Sequence, residues 1–413
     1  MEDVKRVLAI DLGSGKIAAI VAEIGPQNEV RVLGVGRAKS TGIRGGRIVN
    51  IEKTAISVSE AAQQAYQMAK SEFDEVVVGI TGEHIKGATS RGLIAISNPH
   101  LEITEDDVQR VIDQAKTISI PMGREVLYVH PNSYTIDDQR GIKEPIGMIG
   151  MRLEVEAYIV TAQSTVLMNI KRALSKGGVE DPILMFQPIA ASAAVLRAQD
   201  MDQGVALVDI GKDTTDIAVW FDGDLVHTAV LPLGGQLITN DIAIGLKIPV
   251  EKAEELKLNY GVASVTLAEE SDEENIEVEG FHGQRPKFFT RRDLAYIIEA
   301  RVAEIFEFVK EKLEQSDRFS RLVGGVILVG GTSSLPGIEY VAEEVLGLPV
   351  FVRKPHGVTG VIDPIMDPAY AVVVGLPRLA RMAQTKGGIE RPGGKTSVKD
   401  FIQKIWNIVK ENF

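Results

Sequence analysis

Val205-Ala206-Leu207-Val208-Asp209-Ile210-Gly211-Lys212-Asp213-Thr214-Thr215-Asp216 runs directly into Ile217-Ala218-Val219-Trp220. This is an apolar strand, an Asp-x-Gly turn and a second apolar strand. The design also occurs near the N-terminus, where Val7-Leu8-Ala9-Ile10-Asp11-Leu12-Gly13-Ser14-Gly15-Lys16 leads into Ile17-Ala18-Ala19-Ile20-Val21-Ala22. An element that recurs once, about 200 residues apart, points to two similar halves rather than to a solenoid. Each turn presents backbone N–H groups in one direction, glycine permits close approach, and Ser14 or Thr214 adds a hydroxyl. That is a phosphate cradle built from a hairpin, formed by Gly13, Ser14, Gly15 and Lys16 on one side and Gly211, Lys212, Asp213 and Thr214 on the other. Asp11 and Asp209 end their strands, where they could face one another across a cleft and hold a hydrated Mg²⁺.

Two other phosphate motifs fail. Gly15-Lys16 is no P-loop, because Ile10 stands where that loop requires glycine. Gly13-x-Gly15-x-x-Ala18 fits the dinucleotide fingerprint only formally, since β-branched sequence rather than a helix follows it. A third glycine element is Gly324-Gly325-Val326-Ile327-Leu328-Val329-Gly330-Gly331-Thr332-Ser333-Ser334-Leu335-Pro336. It reads as a buried strand, a Gly-Gly break and a helix starting near Pro336. Gly330, Gly331 and Thr332 would let a flat base lie against the backbone, with helix N–H groups turned to the ligand.

The chain has 413 residues, 45% of them apolar and 25% charged, which suits two to four globular domains. It has no cysteine, which excludes disulfide scaffolds, thiolate metal sites and Cys nucleophiles. The six histidines are scattered without metal-ligand spacing. A net charge of −12 argues against nucleic acid as a partner. No signal-peptide pattern and no apolar run long enough to span a bilayer are present.

The core is interrupted twice. Residues 82–163 carry strands and a helix capped by Thr104 with Glu105, Asp106 and Asp107 behind it, and so form an insert in the first half. Residues 241–310 form a second insert, with an acidic run over 269–279 that reads as a solvated loop or edge hairpin and a long helix opening after Thr290. The expected division is 1–81 with 164–196 as the first core unit and 197–240 with 311–381 as the second.

Residues 382–396 are Gly-rich and read as a flexible linker to residues 397–413. On a helical wheel Val398, Phe401, Ile402, Ile405, Trp406, Ile408, Val409 and Phe413 share an arc of ~160°, and Lys399, Lys404 and Lys410 lie opposite. From Arg378 to Phe413 eight basic residues stand against three acidic ones, a local +5 on an acidic body. Such a helix, ~24 Å long, would lie in the interface of an anionic membrane. One such helix binds weakly, so polymerisation, which gathers many, is expected with it.

The ordered set of motifs resembles the actin, Hsp70 and sugar-kinase ATPase superfamily. Besides the two hairpins and the Gly-Gly loop it includes Leu184-Met185-Phe186-Gln187-Pro188-Ile189-Ala190-Ala191-Ser192 and Asp367-Pro368-Ala369-Tyr370-Ala371-Val372-Val373-Val374-Gly375-Leu376 as connecting segments. Within it the chain resembles the FtsA family of bacterial division proteins. The insert at 82–163, the phrases Gly42-Ile43-Arg44-Gly45-Gly46, Gly79-Ile80-Thr81-Gly82-Glu83-His84-Ile85 and Gly141-Ile142-Lys143-Glu144-Pro145-Ile146-Gly147, and the amphipathic tail carry that likeness.

The resemblance implies an α/β, actin-like fold of two related halves flanking a nucleotide cleft, with an FtsA-type subdomain in the first half. It implies ATP and Mg²⁺ as ligands, with Gly234, Gly235, Glu254 and Lys257 around the ribose and adenine. It also implies actin-like filaments, and a tie between the FtsZ ring and the cytoplasmic face of the cell membrane at the division site. The FtsZ C-terminal peptide would be met by Arg291, Arg292 and Arg301, and later division proteins such as FtsN by the first insert. Gln187 is the candidate for orienting water, with Asp213 and Asp216 as further candidates, so weak ATP turnover at most is expected. A PilM-like pilus adaptor and a small-molecule kinase on the same fold are the alternatives.

Overall fold

The computed structural model describes residues 5–25, 29–269, 276–278 and 286–385. The first half opens with an antiparallel meander of β1 (Lys5–Leu12), β2 (Lys16–Ile24) and β3 (Val30–Lys39). A small hairpin, β4 (Ile43–Arg44) and β5 (Arg47–Ile48), precedes α1 (Ile51–Ala69). Asn50 starts α1 by accepting the Lys53 N–H at 2.9 Å, which satisfies one of the orphan donors of the first turn. β6 (Glu75–Ile80) then lies parallel to β1.

The first insert follows. It consists of β7 (Ile85–Ala95), α2 (Glu105–Ser119), β8 (Arg124–Ile136), β9 (Gln139–Ile142) and β10 (Arg152–Gln163), with sheet order β7-β10-β8-β9. Thr104 and Asp107 form a reciprocal capping box at the head of α2. Ile103, Val111, Ile112, Val129, Leu153 and Val155 give this unit a core of its own. The chain returns through α3 (Ser164–Lys176) to β11 (Ile183–Phe186), parallel to β6, and α4 (Gln187–Val195).

The second half begins with α5 (Ala198–Gln203) and the meander β12 (Val205–Ile210), β13 (Thr215–Phe221) and β14 (Asp224–Leu231). Its insert holds α6 (Gly235–Leu246), α7 (Val250–Tyr260), α8 (Val265–Glu269), the hairpin β15 (Ile276–Val278) and β16 (Lys287–Phe289), and α9 (Arg291–Glu314). β17 (Val326–Val329), α10 (Ile338–Leu346) and β18 (Val350–Val352) complete the second sheet. β19 (Val358–Gly360) crosses back to pair with β3, and α11 (Ala371–Thr385) ends the described chain.

The two large sheets have one plan. The first is ordered β11-β6-β1-β2-β3-β19 and the second β14-β13-β12-β17-β18. Central β1 and β12 are each followed by two antiparallel strands and flanked on the other side by two parallel ones, so their hairpin turns occupy equivalent positions. Both central strands are apolar and buried along most of their length, as strands covered on both faces must be. Phe186, Ile10 and Ile20 sit in the first core, and Phe306, Val208 and Leu328 in the second.

α4 and α11 pack together between the halves. At their crossing a side chain on Gly375 would place its Cβ 1.7 Å from the Ala190 carbonyl oxygen, so only glycine permits the approach. Arg378, one turn on and buried, donates to the carbonyls of Ala193 at 2.8 Å and Gly357 at 2.9 Å. The helix expected near Pro336 begins at Ile338. A 3-10 turn over Gly331–Ser334 follows the strand, and α10 begins only after Gly337, whose φ of 83° breaks the path. No helix among the described residues is long and apolar enough to cross a membrane. The tail residues Val398, Lys399, Phe401, Ile402, Lys404, Ile405, Trp406, Val409 and Lys410 lie outside the described residues.

Candidate functional site

The two Asp-x-Gly hairpins face each other at the ends of β1 and β12. A Cβ built on Gly15 would come within 3.4 Å of the Lys212 side chain, which places the turns in contact range across the cleft. Asp11 and Asp209 are both 7% exposed and close enough to repel. Burial, followed by the Asp209 charge, pushes Asp11 up to about 7 against the pull of Lys16. Burial pushes Asp209 up to about 6, again opposed by Lys16. Asp216, 2% exposed, is held well above the ordinary carboxylate range by burial and by Asp209.

Lys16 acts on both central aspartates and lowers the pKa of each. Its ammonium lies 3.6 Å from the centroid of the Tyr370 ring, and burial lowers its pKa while Asp11, Asp367 and Asp209 resist that. Two buried carboxylates, Asp11 and Asp209, therefore share the Lys16 ammonium, while Asp216 beside them is met by the hydroxyls of Thr81 and Thr214. Such a site is short of positive charge, and the donor set suits a hard divalent cation. Among the described residues no three acidic or histidine side chains converge at direct ligand spacing.

Gln187, at the N-terminus of α4, donates from Nε2 to Asp11 Oδ1 at 2.7 Å and to the Gly79 carbonyl at 3.3 Å. Both of its amide hydrogens are thereby engaged. Gly330 has φ of 90° and lies against Asp209, where a Cβ would come 2.3 Å from Oδ1. Thr332 donates to the Gly211 carbonyl at 2.9 Å and so ties the Gly-Gly loop to the second hairpin. Gly235 N–H donates to the same carbonyl at 3.0 Å, next to Gly234 at the head of α6. Lys257 bridges Glu254 Oε2 at 2.7 Å, Thr239 Oγ at 2.7 Å and the Gly235 carbonyl at 3.1 Å. The structure thus gathers the hairpin residues, Gln187, the Gly330–Thr332 loop, Gly234, Gly235, Glu254 and Lys257 along one cleft.

The first half also reaches the second hairpin through groups that sequence reasoning left unassigned. Gly45 N–H donates to Asp213 Oδ2 at 3.0 Å, and the Thr81 hydroxyl donates to Asp216. Tyr370 under Lys16 was equally unassigned. All three fall within the quoted family phrases or the second connecting segment, but nothing in their types announces a cleft role. Arg291, Arg292 and Arg301 lie apart, on α9. Arg301 is committed to Asp241 and Glu304, which raise its pKa. Arg291 donates to the Tyr260 carbonyl at 3.1 Å, and Arg292 to Tyr296 Oη at 3.1 Å.

Two sheets of one plan, two facing Gly-turn hairpins and two helices crossing between them define an actin-like fold. Solved structures agree on the fold. The PilM–PilN type IV pilus biogenesis complex matches with a TM-score of 0.63 at 18% identity, covering 91% of this chain and 98% of that one. MreB5 of Spiroplasma citri bound to ADP matches with a TM-score of 0.55 at 13% identity, covering 92% of this chain and 98% of that one. A family profile described as "Cell division protein FtsA" matches residues 206–375, and "SHS2 domain inserted in FTSA" matches residues 82–161. Cell division protein FtsA of Pseudomonas aeruginosa is 36% identical over 99% of this chain and 98% of its own length. That of Escherichia coli is 32% identical over 100% and 99%. The chain belongs to the FtsA family of cell division proteins.

Proposed function

We propose that the chain binds ATP with Mg²⁺ in the cleft and uses the bound nucleotide to set the closure of its halves. In that role it acts as an actin-like, filament-forming adaptor that ties the FtsZ ring to the cytoplasmic face of the membrane. The observation that carries the nucleotide reading is the charge imbalance at the two facing hairpins: Asp11 and Asp209 are buried with Lys16 between them, and Asp216 is buried beside Asp209. The MreB5 structures described as bound to ADP and to AMPPNP support the same reading by fold.

Lys16 and the turn amides would bind the phosphates, Asp11 and Asp209 would hold the metal through water, and Gly330 would leave room for the base. Mg²⁺ supplies charge neutralisation on the phosphate oxygens. Gln187, hydrogen-bonded to Asp11, would orient a water, and weak ATP turnover at most is the expectation.

The membrane reading rests on residues 397–413, whose apolar and basic faces separate on a helical wheel. Peptide recognition by the second insert would fall to α9 at Arg291, Arg292 and Arg301, the last of which also serves Asp241 and Glu304. The test is co-sedimentation of the full chain, and of a chain ending at Thr396, with anionic liposomes in the presence of ATP and Mg²⁺. The full chain is expected in the pellet and the shortened one in the supernatant. Equal pelleting ends the anchor reading.

A further inference from the structure

The first insert belongs to the first half by sequence, yet it is fastened to the second. β14 is the free edge of the second sheet, paired on one side only with β13. Its outward Thr228 N–H donates to the hydroxyl of Tyr158 on β10 at 2.8 Å, and that hydroxyl pairs with Thr228 Oγ at 3.1 Å. Asn132 of β8 donates to the Leu225 carbonyl at 3.3 Å. Lys143 reaches both carboxylate oxygens of Asp224, at 2.7 and 2.6 Å, and also donates to the Asn132 carbonyl at 2.8 Å. The His130 ring meets Trp220 of β13 edge-on at 5.4 Å, and Trp220 donates to Ser192 on α4 at 2.9 Å. Tyr158, Thr228 and Asn132 are all under a tenth exposed, so these contacts are built into the packing.

β14 is also in direct line with the cleft. It pairs with β13, and β13 begins at Thr215 and Asp216, beside the second phosphate turn. Among the described residues the halves thus meet at the hairpins, at the α4–α11 crossing, at the β19–β3 pairing and at this seam. A rotation of the second half about the crossing helices has to break the seam or drag the insert with it.

We propose that the Tyr158–Thr228 and Lys143–Asp224 contacts couple the orientation of the first insert to the nucleotide state of the cleft. The inference rests on the nucleotide reading above and names how that site is regulated. Coupling of this kind is reciprocal, so whatever nucleotide does to the seam, the seam does to nucleotide affinity. Tyr158 and Lys143 touch no part of the cleft and act as positioning residues.

The test is amide hydrogen exchange on the full chain with and without Mg²⁺·AMPPNP, alongside titration of a fluorescent ATP analogue. Wild type is expected to gain protection in the hairpins, residues 5–24 and 205–221, and also in residues 124–136 and 152–163 of the insert. Lys143→Ala, on the half-exposed end of the seam, and Tyr158→Phe each weaken the insert response. Together they abolish it, keep the hairpin response and shift nucleotide affinity by roughly three- to tenfold. The single Lys143→Ala variant guards against a folding defect in the pair. Hairpin protection without insert protection in wild type overturns the coupling and leaves nucleotide binding standing, as does an unchanged insert response in the double variant. Protection nowhere in wild type overturns both readings.

Discussion

Replacing Asp209 by asparagine should make the nucleotide-free protein more stable while weakening its response to nucleotide. The Asp209 carboxyl is 7% exposed, and burial moves its pKa from 3.8 to about 6. A folded-state pKa above the unfolded one means that the native state holds more protons between pH 4 and 6. Stability therefore falls as pH rises through that window, and the full cost persists above it. Two pH units correspond to ~3 kcal/mol, an upper figure because buried sites relax and admit water. Asparagine has the same shape and no charge. Asp209→Asn is expected to gain about 1–3 kcal/mol at pH 8 and close to nothing at pH 4. Urea unfolding of the apo protein at both pH values measures this. In the same assay, 100 Kd of Mg²⁺·ATP should stabilise wild type by ~2.7 kcal/mol and the variant by much less. A variant less stable than wild type at pH 8, or one shifted equally at both pH values, refutes the argument that uncompensated burial governs this carboxylate.

Two further substitutions probe the same frame. Lys16→Met removes the cation that lowers both central aspartates, so nucleotide binding should vanish and the apo protein should lose on the order of 2 kcal/mol at pH 8 but less at pH 5; a pH-independent loss contradicts the charge assignment. Gly375→Ala drives a Cβ into the Ala190 carbonyl at the crossing of α4 and α11 and should cost about 1–3 kcal/mol, read as a lower thermal midpoint. An unchanged midpoint would show that the helices can separate freely.

The candidate site was legible wherever it is local. Both Asp-x-Gly turns, the Gly330–Gly331 break and the capped starts of α2 and α9 announce themselves, because turn and cap chemistry acts within a few residues. The start of α10 near Pro336 is legible for a reason of the same kind, and Gly337 in the left-handed region sets its first residue at Ile338. Tyr370, Thr81 and Gly45 carry no local mark of a cleft role, since an aromatic, a hydroxyl and a glycine are ordinary in connecting segments.

From the order of residues alone come the repeated hairpin, the two inserts, the amphipathic terminal segment and the family likeness, because period, turn chemistry and charge are properties of neighbouring positions. Only the folded chain brings Gln187 to Asp11, lays Tyr370 beneath Lys16, spends Arg301 on Asp241 and Glu304, and fastens an insert of the first half to the edge strand of the second. Those pairings join positions far apart in the chain. They follow from which strand lies beside which, and strand order is settled by the burial of two whole sheets rather than by any short stretch that composes them.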